Sequence, residues 1–168
     1  CPGPAVCAEC ARSLQGAARV HRPSPVPPGW IPAHVVADYD GTTRALMTAW
    51  KERGRRDVSP HLARPLARAI AAAVAAMDAE VDRASCEEIA LVPIPASSAA
   101  RRRRGEDAWE RVGRQAVQHC ASDARLRLVR ALSLVRQPHD QAGLTASARR
   151  DNLAGALTCS RAPAGRVI

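Results

Sequence analysis

The chain contains no phenylalanine, and Trp30, Tyr39, Trp50 and Trp109 are its only aromatic residues. An aromatic-rich core is therefore excluded. Ala, Leu, Val and Ile must supply the interior, which requires close helix packing over small side chains. Scarce aromatics also argue against stacking of bases along a single nucleic-acid strand. Lysine is nearly absent, Lys51 standing alone against 24 arginines, a ratio explained more simply by codon bias in a GC-rich genome than by selection for guanidinium chemistry. No apolar run reaches the ~20 residues of a membrane span, since the longest extends only from Ala69 to Met77. No signal-peptide pattern and no internal repeat are found, so the expected compartment is the cytoplasm.

What is present is basic and unevenly spread. The net charge is +9, with 11 basic and 10 acidic residues up to Ala96, and 14 and 6 from Ser97 onward. The second part carries nearly all the excess and would draw a polyanion, either nucleic acid or a phosphorylated sugar; a long solvated face is the plain alternative. Of the six cysteines, Cys1, Cys7 and Cys10 crowd the start while Cys86, Cys120 and Cys159 are scattered. That distribution fits metal binding better than a secreted disulfide framework.

A length of 168 residues suits one α/β domain with a small appendage. Residues 1–28 read as a cysteine-bearing tail and Pro-rich linker, and 29–168 as the domain. "HVVADYDG", from His34 to Gly41, reads as a strand ending in a turn. "TTRALMTAWKERG" follows as a helix with Ala45, Leu46, Ala49 and Trp50 on one face and Gly54 as its stop. Ser59 and Pro60 mark the next helix start, and Leu62, Leu66, Ile70, Val74 and Met77 recur at helical spacing. After an acidic connection, Ile89 to Pro95 reads as a buried parallel strand. A further helix is expected from near Asp107, with Trp109, Val112, Ala116 and Val117 buried, and a strand within Arg125 to Val135. An exposed loop, a helix capped by Thr145, and the first residues of one more strand at Val167 complete the pattern. Strands alternating with helices predict a parallel sheet.

Two segments carry chemistry. In "CPGPAVCAEC", Cys7 and Cys10 have the spacing of a zinc knuckle, with Cys1 as a third thiolate. Structural zinc takes four ligands. The fourth would be His21 or a cysteine preceding Cys1, whereas free thiols or a redox pair form the alternative. In "LVPIPASSAARRRRG", an apolar strand meets small residues and then four arginines. Ligands of open α/β sheets bind beyond the carboxyl ends of strands, where backbone amides are exposed. Ala96 and Ser97 would let an anion reach the backbone, Pro93 and Pro95 would stiffen the approach, and Arg101 to Arg104 would add bidentate donors from a basic turn. An arginine-rich surface helix is the alternative. His34, His61, His119 and His139 have no motif partners.

Taken in order, the Cys-x-x-Cys module, "YDGTTRALMTAWKERGRRD", "LVPIP", "RRRG", "DQAGLTASARRDNLAGAL" and "GRVI" resemble the ComF family of phosphoribosyltransferase-like proteins linked to competence and DNA uptake. The resemblance covers nearly the whole chain. It implies a type I phosphoribosyltransferase-like parallel sheet with flanking helices, incomplete at the C-terminus, behind a short zinc-ribbon-like N-terminal tail. It further implies a phosphate-binding set of Pro93, Ile94, Pro95, Ala96, Ser97, Arg103, Arg104 and Lys51, and a flexible loop with Gln141, Arg149 and Asn152. Structural zinc, Mg²⁺ with a phosphoribosyl diphosphate-like ligand, and DNA or competence proteins as partners are the corresponding expectations.

Where relatives read Arg-Gly-Phe-Asn-Gln, this chain has Arg104, Gly105, Glu106, Asp107 and Ala108. The family's acidic, Thr/Gly-rich phosphoribosyl diphosphate loop would follow Val167, and the chain stops at Ile168. The expectation is thus a chain truncated at its carboxyl end, clipped at its start and inactive alone. The rival expectation is a non-catalytic nucleic-acid-binding accessory of DNA uptake. Elemental analysis of the purified full-length protein is expected to return zinc; a metal-free result would remove the zinc reading.

Overall fold

Strand β3 (Ile89–Leu91) is the middle of a three-stranded parallel sheet, between β4 (Leu126–Leu128) and β7 (Arg166–Val167). The computed structural model describes residues 6–80, 88–105, 107–139, 141 and 143–168, the side chains of Arg103 and Arg104 excepted. Ile89 pairs with Leu126 on one side and Arg166 on the other. Both Ile89 and Ala90 are buried, as a central parallel strand requires. The ladder runs on past the strands, with Val92 N–H donating to the Ile168 carbonyl and Val129 N–H to the Leu91 carbonyl, each at 3.0 Å. All three carboxyl ends therefore lie along one edge. The expected last strand is β7, and Gly165 admits it: its φ is +76° and a Cβ there would fall 2.2 Å from the Glu88 carbonyl oxygen.

Two helices cover the sheet and each other, α3 (Ser59–Glu80) and α5 (Ala108–His119). Leu62, Ile70 and Val74 are buried on the expected stripe of α3, and Leu66 and Met77 half-buried. Ala63, Ala67, Val112 and Ala116 fill the seam, so small side chains do bring the helices together. A Cβ on Gly113 would stand 2.8 Å from Leu128 Cδ1, which shows how closely α5 lies on the sheet. Trp109 was expected in the α5 interior, yet it stays partly exposed. Its ring meets Trp50 edge-on, with centroids 4.7 Å apart and planes at 78°.

Helix α2 (Gly41–Lys51) buries Leu46 and Trp50, while Ala45 is exposed and Ala49 half-buried. Beyond it Gly54 adopts φ +65°, as the expected stop requires. Ser59 is not a cap. A 3₁₀ turn at Arg56–Val58 runs straight into α3, so Ser59 is already helical, and its buried hydroxyl accepts the Trp50 Nε1–H at 3.0 Å.

The expected strand at His34 is β2 (Ala33–Val35), which pairs antiparallel with β1 (Arg19–His21) of the tail rather than joining the parallel sheet. The tail also holds α1 (Ala8–Arg12), and Cys10 and Leu14 pack with Leu46 and Trp50 in one core cluster. The segment Arg125–Val135 yields two strands instead of one: β4, and β5 (Leu132–Leu134), which pairs antiparallel with β6 (Leu157–Cys159). Between β5 and β6 lies α6 (Ala146–Leu153), capped by Thr145 as expected, its hydroxyl accepting Ala148 N–H at 3.2 Å. The result is a mixed α/β fold. No described helix is long and apolar enough to cross a membrane.

Replacing Ser59 by Ala strands the buried Trp50 N–H and is expected to lower stability by about 1–3 kcal/mol. Denaturant midpoints of S59A, W50F and the double variant should show coupling between the two sites. Strict additivity would exclude the hydrogen bond as the source.

Candidate functional site

The chain leaves β3 as a loop, 92–97, in which Pro93, Pro95, Ala96 and Ser97 are half-buried and Ile94 points into solvent. Ser97 then caps α4 (Ser98–Arg104), its Oγ accepting Ala100 N–H at 3.1 Å. The expected basic turn is therefore a helix. Ser, Ala and Arg after a capping Ser favour helical backbone, and Gly105 ends it with φ +73° and an N–H to the Arg101 carbonyl at 2.7 Å. Arg101 and Arg102 are exposed on α4. Arg103 and Arg104 complete the helix, with side chains outside the described set.

Asp107 ties the loop to the next helix. One of its carboxylate oxygens accepts Trp109 N–H at 3.1 Å and Glu110 N–H at 3.4 Å, capping α5. The other accepts Ala96 N–H at 2.8 Å. An amide expected to face a ligand anion thus already faces the protein's own carboxylate. Nearby, Arg130 beyond β4 grips Glu110 through two bonds, at 2.8 Å from Nε and 2.5 Å from Nη2, and Arg114 binds the same carboxylate. The pairing with Glu110 raises the Arg130 pKa, and the Asp107 charge adds to the shift.

Residues from elsewhere converge here. Trp50 against Trp109 sets the end of α2, and hence exposed Lys51, beside the start of α5. Arg56 Nη2 comes within 3.4 Å of where a Gly105 side chain would begin. Sequence reasoning missed Arg56 and Arg130 and read Asp107 as a helix start and as a departure from the family segment. The capping position of Asp107 was legible, but its second bond, across a helix and a loop, was not.

The three loop residues divide. Asn152 clasps His139 by donating Nδ2–H to its carbonyl at 2.9 Å and accepting its N–H at 3.0 Å. Arg136 adds bonds to the Asn152 and Ala154 carbonyls at 2.9 and 2.8 Å. Gln141 is half-buried with its Nε2 lacking a hydrogen-bond partner among the described residues, and Arg149 is exposed on α6, which buries none of its residues. Asn152 therefore acts as a loop clasp.

Cys1 lies outside the described residues. Cys7 and Cys10 are neighbours at the start of α1, Cys7 exposed and Cys10 buried. Hydrogen bonds from Cys10, first from its backbone and then from its thiol, pull the Cys7 pKa down, while burial pushes that of Cys10 up. The pair can offer two thiolates to a tetrahedral metal. Among the described residues no group of three or more His, Cys, Asp or Glu side chains is placed to hold one. His21 ends β1 and is exposed.

No protein-family model matches the chain, and no curated protein matches it.

A lowered thiol pKa means thiolate persists below the pH at which an ordinary cysteine loses it. Alkylation followed by peptide mapping is expected to label Cys7 at lower pH and faster than Cys10. Equal pH profiles for the two would contradict the arrangement.

Proposed function

We propose that the protein is a ComF-type, phosphoribosyltransferase-like protein that binds a phosphoribosyl diphosphate-like ligand and serves competence or DNA uptake. The observation that carries the reading is the loop 92–97, built of small and proline residues at the carboxyl end of a buried central parallel strand. That edge is where open α/β sheets hold ligands. The ordered motifs of the sequence supply the family.

In this reading the diphosphate meets the amides around Ser97, with Lys51, Arg56 and the α4 arginines supplying positive charge nearby. Asp107 competes with the ligand for the Ala96 amide. Mg²⁺ bound with the diphosphate would supply charge neutralisation on the leaving group, while the protein residues would bind and orient the diphosphate. The reading assigns binding to these 168 residues; turnover would also require groups that hold the ribose and its 5′-phosphate. The tail zinc belongs to the same proposal, with Cys7 and Cys10 as two ligands.

A nucleic-acid-binding role is the second reading, favoured by Arg101 and Arg102 standing exposed on α4. Such binding would be mainly to phosphate and would weaken steeply with salt.

Calorimetric titration with phosphoribosyl diphosphate and Mg²⁺ is expected to saturate. D107N, which keeps a capping side chain but removes the competing charge, should tighten binding by about threefold to tenfold. Absence of saturable binding in both proteins, with duplex DNA bound in a salt-sensitive manner, would replace the first reading by the second.

A further inference from the structure

A cavity of about 760 Å³ opens between the end of α1 and the outer side of α3, and it contains no residue of the loop after β3. Its lining includes Gln15, His61, Arg64, Arg68 and His119, and no acidic side chain among the described residues. His61, Arg64 and Arg68 follow one another at helical spacing on α3, so they share a face. His119 arrives from the end of α5. Four nitrogen-rich side chains from two helices therefore converge on one hollow.

Their availability is the second observation. Arg64 makes no ion pair or hydrogen bond among the described residues and is exposed. Arg68 is anchored by an Nη2–H donated to the Leu14 carbonyl, yet its Nε is buried without a hydrogen-bond partner among the described residues. Buried donors are normally satisfied, so this edge of the guanidinium is an unmet demand for an acceptor. The carboxylates nearby are engaged elsewhere. Asp57, close enough to His61 to feel its charge, is bound by Arg55 at 2.6 Å. An adjoining hollow of about 680 Å³ shares Arg64, Arg68 and His119. It also exposes Asp78 and Asp123, whose carboxylates Arg125 holds at 2.9 and 2.7 Å.

We infer that this cavity is an anion site for a small phosphomonoester, its phosphate taken by Arg64 and Arg68 with His61 and His119 beside them. The volume falls in the range of small-molecule sites, and guanidinium forks match phosphate oxygens. A nucleic-acid strand fits poorly, because the basic stretch is confined and gives way to Asp78 and Asp123. The site is independent of the loop after β3.

The test follows the imidazole ¹H–¹⁵N resonances of His61 and His119 at constant ionic strength. Inorganic phosphate and glycerol phosphate are titrated into the full chain, with glycerol as the uncharged comparison. Saturable shifts with both anions and none with glycerol are expected. R64Q, which removes a guanidinium that makes no ion pair or hydrogen bond among the described residues, should weaken either anion by about tenfold, while D107N should leave both unchanged. Tighter binding of glycerol phosphate than of phosphate identifies an organic ester as the source; equal binding identifies the free ion. Unsaturable shifts, unaltered affinity in R64Q, or a stronger effect from a duplex oligonucleotide would each overturn the assignment. Because D107N reports on the other site, failure here leaves the diphosphate reading standing, and the converse also holds.

Discussion

The carboxylate of Asp107 joins the loop that leaves the central strand to the helix that packs over the sheet, accepting from Ala96 on one side and from the first turn of α5 on the other. Two of the acceptances satisfy helix-end amides that have no partner within the helix. The third holds the loop down. The loop 92–97 and the start of α5, where Trp109 meets Trp50, are tied together through this one carboxylate. The candidate site is thus organised around a negative charge within a basic part of the chain.

The core has no phenylalanine and manages without it by shortening distances. Ala63, Ala67 and Ala116 in the α3–α5 seam, with Gly113 against Leu128, let backbones approach until Leu, Ile and Val side chains close the remaining space. Tryptophan supplies the exception. Trp50 brings an aromatic ring into the cluster that also holds Leu46, Val58 and Leu62, and its polar N–H is matched by the buried Ser59 hydroxyl.

Arginine does several different jobs. Arg125 bridges Asp78 on α3 and Asp123 before β4, and those hydrogen bonds push its pKa further up, so it is a strut that stays charged. Arg136 ties loop carbonyls, and Arg130 and Arg114 hold Glu110. Arg64 and the exposed residues of α4 remain turned to solvent. A net charge of +9 therefore overstates what is available to a polyanion, and the location of each guanidinium matters more than their number.

Local patterns were decided by the sequence alone. The stripe of α3, the buried run at Ile89, the caps at Asp107 and Thr145, and the chain turn before Val167 are short-range features, set by periodicity and by residues that act within a few positions of themselves. Tertiary structure decided what those residues touch. It placed the His34 strand against the tail, turned Ser59 inward, and gave Ala96 to Asp107 and His139 to Asn152. It also gathered His61, Arg64, Arg68 and His119 around one hollow. Each of these outcomes depends on contacts between different elements, for which periodicity and spacing hold no information.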